Sequence, residues 1–171
     1  VVPVFAVAGV VFIAVEVGVI WMVYRFRRND SDVEGEGEPV QLAIEYVDLD
    51  RLPDFKFAGT GGESSSEMPV LDVTLSNLFQ SERRLGELHF VLREEAGVLS
   101  AETVTGELAG LRLHADQPGQ LVWHRGPDAY TELHTNLHFA DLGQTLAYFD
   151  YQRIVETEAG DFALDLRWPG A

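Results

Sequence analysis

Beyond Pro69, apolar and polar residues alternate with a period of two, the pattern of strands with one buried and one solvated face. Leu71, Val73 and Leu75 are set against Asp72, Thr74 and Ser76, and Leu88, Phe90 and Leu92 against Glu87, His89 and Val91. Leu111 and Leu113 flank Arg112, and Leu121 and Trp123 flank Val122. Leu133, Thr135, Leu137 and Phe139 then oppose Glu132, His134, Asn136 and His138, and finally Phe162, Leu164, Leu166 and Trp168 oppose Asp161, Ala163, Asp165 and Arg167. This predicts about six to eight antiparallel strands. Turns such as Glu95-Ala96-Gly97 and Gln117-Pro118-Gly119 separate them at meander spacing. One helix interrupts the series: Asp141 is a plausible N-cap for a helix to about Phe149 that buries Leu142, Leu146 and Phe149.

The first part of the chain follows another pattern. Between Val1 and Tyr24 the one charged residue is Glu16. As a helix rising about 1.5 Å per residue, this run spans about 36 Å, enough for a hydrocarbon core of about 30 Å. It lacks the basic start, short apolar core and small-residue cleavage site of a signal peptide, so a retained anchor is expected. Trp21 and Tyr24 stand where an aromatic belt meets headgroups, and Arg25, Arg27 and Arg28 follow, which places that end in the cytoplasm by the positive-inside rule. Glu16 near mid-membrane reads either as a contact for a partner helix or a proton-linked site, or as a tolerated neutral acid.

The expected fold class is therefore mainly β: one N-terminal transmembrane helix followed by an antiparallel β-meander sheet with one short helix. Residues 1–28 form the anchor, 29–40 an acidic linker (NDSDVEGEGE and the two residues after it), and 41–171 the β-rich segment. Within that segment 41–58 has a strand-like first half closed by Pro53, and 59–68 is a flexible low-complexity stretch.

Composition narrows the chemistry. With 28 acidic against 12 basic residues the formal charge is −16, and Lys56 is the one lysine, so nucleic acid is not an expected partner. An acidic surface rich in arginine over lysine is compatible with high salt, and equally with a bias in DNA composition. The absence of cysteine excludes disulfides, thiolate metal sites and cysteine nucleophiles.

His134 and His138 share a strand face about 13 Å apart, too far for one ion. His89, His114 and His124 fall mainly on polar faces of other strands, so solvated surface histidines are expected and no metal site. Acidic pairs such as Glu94 and Glu95 or Asp48 and Asp50 are what this composition produces anyway, and Ser64, Ser65 and Ser66 lack a nucleophile elbow. There is no phosphate loop or dinucleotide fingerprint. No catalytic residue, no cofactor and no enzymatic activity are expected.

Two resemblances add to this reading. FAVAGVVFIAVEVGVIWMVYRFRR, an acidic linker and EPVQ resemble the first transmembrane helix of cytochrome c oxidase subunit II over about 40 residues. That family continues into a second span and a copper domain with cysteine ligands, and this chain has neither. From 42 to 171 the chain is similar to an internal segment of the YhdP-like branch of the AsmA-like family of bacterial envelope proteins. LDVTLSNLFQSERRLGELHFVLREEAGVLSAETVTGEL, FADLGQTLAYFDY and the closing DFALDLRWPGA carry that likeness.

The second resemblance implies an inner-membrane protein whose curled sheet carries phospholipid along an apolar groove in the periplasm. The positive-inside rule argues the opposite side for the β-rich part, and a fragment or a fusion is expected. Leu88, Phe90, Leu111, Leu113, Trp123, Leu137, Phe162 and Leu164 are the expected lipid-facing set. The alternatives are an accessory or subunit II-like anchor of a respiratory oxidase lacking the copper site, and a structural envelope module without a ligand.

Overall fold

The computed structural model describes residues 39–51, 69–148 and 159–169. They form nine strands in one sheet, with one short helix and one 3-10 turn. The strands are β1 Val40–Ile44, β2 Val47–Asp48, β3 Leu71–Gln80, β4 Arg83–Glu95, β5 Val98–Leu108, β6 Leu111–Leu113, β7 Gly119–His124, β8 Tyr130–Phe139 and β9 Gly160–Pro169. Helix α1 spans Leu142–Tyr148, and the 3-10 turn spans Leu49–Arg51.

These strands occupy seven parallel tracks. β1 and β2 lie end to end beside β3, then come β4 and β5. β6 and β7 share the next track, because both pair with β5 on one side and with β8 on the other. β9 pairs with β8.

The expected fold class is corrected in two respects. Among the described residues no helix is long and apolar enough to cross a membrane, and α1 has only seven residues. Residues 1–28, to which the sequence assigns that span, with Glu16 inside it, lie outside the described residues, as do 29–38 and the stretch 59–68. The sheet is also mixed and is not a meander. β1 and β2 run parallel to β3, and β6 and β7 run in the same direction on one track. Period-two alternation states which face a side chain takes and is silent on strand direction.

Local chemistry accounts for the reversals. Ser81-Glu82, Ala96-Gly97 and Ala109-Gly110 all have positive φ, as two-residue type I′ turns require. Gln80 pairs with Arg83, Glu95 with Val98 and Leu108 with Leu111 across them. At the first turn the Asp50 carboxylate accepts the Ser81 N–H, tying the 3-10 turn to the hairpin. Asp141 caps α1 as expected, its Oδ1 accepting the Gln144 N–H at 3.1 Å. Leu146 is buried and Leu142 half-buried, while Phe149 lies outside the described residues.

β5 escapes a reading by alternation, and its backbone shows why. Leu99 and Ala101 face the core, but a register shift between Ala101 and Val104, with Thr103 at φ 51°, changes parity so that Val104 and Leu108 continue the face. A similar shift separates Leu75 from Leu78 in β3.

Two glycines allow β4 and β5 to approach closely. Gly86 (φ 145°) and Gly106 (φ 135°) flank the pair Glu87 and Glu107. A Cβ at Gly86 would lie 1.8 Å from the Glu107 carbonyl oxygen, and one at Gly106 would lie 2.3 Å from that of Glu87. Gly97, also at positive φ, has nothing within 4 Å. Gly86→Ala is therefore expected to destabilise the chain by at least about 3 kcal/mol, and Gly97→Ala by about 1 kcal/mol. Urea unfolding of both variants measures the difference, and equal losses would contradict the close approach.

Candidate functional site

The sheet has one apolar and one polar face, and the apolar one is organised in rows that run across the strands. Pairing register places Val40, Leu71, Leu92, Ala101, Leu121, Leu133 and Leu166 side by side, one from each track. A second row reads Ile44, Leu75, Leu88, Gly106, Leu113, Leu137 and Phe162. Neither row contains a polar side chain. In each row the side chains of the inner tracks are buried, and the end residues, Val40 and Ile44 at one edge and Leu166 and Phe162 at the other, are half-buried.

The eight residues expected to face lipid all lie on this one face. Leu88, Phe90, Leu111, Leu113, Trp123 and Leu137 are no more than 5% exposed, Leu164 is buried, and only Phe162 is half-buried. Burial of such side chains contributes about 1.5–3 kcal/mol each, so they hold the sheet together whatever else they do. Of the row ends the sequence singled out Phe162 alone; Val40, Ile44 and Leu166 differ from the centre only in their track position.

Two threonines interrupt the apolar face. Thr131 is fully buried, and Thr135 is 5% exposed with its hydroxyl lacking a partner among the described residues. Gly119 lies opposite Thr135, where a Cβ would meet that hydroxyl at 2.8 Å.

The polar face is a lattice of cross-strand charge pairs. His89 meets Asp72 at 2.6 Å, His138 meets Asp161 at 2.8 Å, His134 meets Asp165 at 3.2 Å and His124 meets Glu132 at 3.4 Å. Arg125–Glu94 (2.9 Å) and Arg112–Glu107 (3.3 Å) follow the same plan. Four histidines expected as solvated singles are thus partners of carboxylates on neighbouring strands. Alternation could place them outward but could not say which acid each would meet. Each such exposed pair contributes about 0.2–1 kcal/mol.

On this face the track shared by β6 and β7 leaves the sheet. Leu113 pairs with Leu137, and Gly119, the first residue of β7, lies opposite Thr135, so residues 114–118 stand where β8 has only Asn136. The Gln117 N–H bonds the His114 carbonyl at 3.2 Å and closes the excursion. Under it lies a recess of about 450 Å³ lined by His114, Asp116, Gln117, Asn136, Asp161 and the Phe162–Ala163 step. Gln117-Pro118-Gly119 is therefore no reversal between strands: the chain leaves the ladder and rejoins it on the same track.

No family model matches the chain, and no curated protein and no solved structure matches it.

The two faces predict unequal mutational costs. Phe90→Ala is expected to lose about 3–5 kcal/mol through the cavity it leaves. His89→Ala, its neighbour on the other face, should cost less than about 1 kcal/mol. Chemical denaturation checks both, and a costly His89 variant would contradict the assignment of faces.

Proposed function

We propose that this chain is a segment of a phospholipid-carrying β scaffold of the bacterial envelope, working in the periplasm as the AsmA-like family that it resembles does. It acts by shape and apolarity, without catalysis. The observation that carries the reading is the pair of apolar rows that cross all seven tracks and stay only half-buried at both ends. A self-contained sheet commonly closes its margins with polar or charged positions. Apolar row ends are what a sheet offers when acyl chains, or further strands of the same kind, continue the face.

In this scheme the buried central residues form a rigid floor. Ile44 and Phe162, the ends of the second row, contact the acyl chains. Leu88, Phe90, Leu113 and Leu137, no more than 2% exposed, belong to that floor.

The full chain, produced in bacteria and purified from the envelope, is extracted and its lipids are identified by mass spectrometry. Phospholipid is expected at a constant ratio to protein, and is expected to be lost in Ile44→Asp and Phe162→Asp while the circular dichroism of the sheet is unchanged. A folded wild-type chain without phospholipid, or lipid fully retained in both variants, would overturn the reading.

A further inference from the structure

The excursion between β6 and β7 creates a meeting of side chains that the lipid reading does not use. It carries His114 over His138 of β8, with ring centres 5.5 Å apart and ring planes at 66°. His138 is already oriented, because its Nδ1 lies 2.8 Å from Asp161 Oδ1. A carboxylate only accepts, so Nδ1 carries the proton, and in the neutral ring Nε2 keeps its lone pair. A ring nitrogen held by a carboxylate while the other faces outward is the usual state of a metal-binding imidazole.

The separation of the rings fits one ion. A nitrogen about 2.1 Å from the metal places its ring centre about 3.2 Å from it, so two imidazoles at a tetrahedral angle have centres about 5 Å apart. The recess beside them supplies polar walls from Asp116, Gln117 and Asn136, and room for coordinated water. Among the described residues no three His, Asp or Glu side chains are grouped to hold an ion, so the protein provides two ligands and solvent the rest. The formal charge of −16 raises the local concentration of cations.

We propose that His114 and His138 form a two-histidine chelate for a first-row transition cation of the Cu²⁺, Ni²⁺ and Zn²⁺ class, with Asp161 positioning His138. Imidazole ligands favour these ions over Mg²⁺ and Ca²⁺, and copper should bind most tightly. Both imidazoles are on the polar face and neither belongs to an apolar row, although the recess beside them reaches the Phe162–Ala163 step; metal uptake is therefore measured apart from lipid binding.

The test titrates Zn²⁺ and Cu²⁺ into the full chain, prepared without a histidine tag, by calorimetry, with electron paramagnetic resonance of the copper form. One ion per chain is expected, with a copper spectrum showing two imidazole nitrogens and no saturable uptake of Mg²⁺. His114→Ala and His138→Ala should each weaken binding at least about tenfold, and Asp161→Asn about tenfold. His89→Ala should leave it unchanged. An unaltered affinity in His114→Ala, a single-nitrogen spectrum, or no saturable uptake of either ion would overturn the proposal.

Discussion

The whole structure depends on keeping one face of a seven-track sheet apolar from edge to edge. Side chains alternate between faces, so a slip of one residue in any pairing would turn a strand's leucines outward and its charges inward. Register is therefore held by burial at every track. Where the backbone must gain a residue, as around Thr103 in β5, the apolar pattern in the sequence changes parity at the same point. The bulge and the sequence agree, which is why Leu99 and Leu108 face the same core although they lie nine positions apart. Gly86 and Gly106 add a local condition, since only residues without a Cβ let β4 and β5 approach as they do.

Charge on the other face follows from the same register. Strands that align their leucines on one side must also align their outward residues, and here acids meet histidines and arginines across most of the sheet. Single pairs of this kind are weak. In a chain with 28 acidic residues these pairs set cations against acids on adjacent strands, although Glu87 faces Glu107 directly across β4 and β5. The excursion at residues 114–118 departs from this order, and it does so on the polar face, where leaving the ladder exposes no core. It begins at His114, whose neighbour Leu113 still pairs with Leu137 of β8, so His114 stays beside His138 as the chain leaves the ladder.

The apolar face gives the proposed scaffold a division of labour. Its centre is as well buried as any core, so lipid carriage cannot be read from the leucines there alone. The half-buried row ends supply the more specific support, because apolar side chains at an edge are costly unless something covers them.

Alternation along the chain determined the position of six strands and which of their residues face inward, and capping chemistry determined the start of α1, because these are local properties written in period and in single residues. It also determined that the eight candidate lipid-facing residues share a face. Tertiary structure decided the rest. The parallel pairing of β1 and β2 with β3, the shared track of β6 and β7, the acid that each histidine meets and the contact of His114 with His138 all depend on which strands become neighbours. Neighbourhood is set by burial summed over the whole sheet, and two residues distant in sequence carry no mark of it. A proline-glycine turn says that the chain leaves the ladder; only the packed sheet decides where it returns.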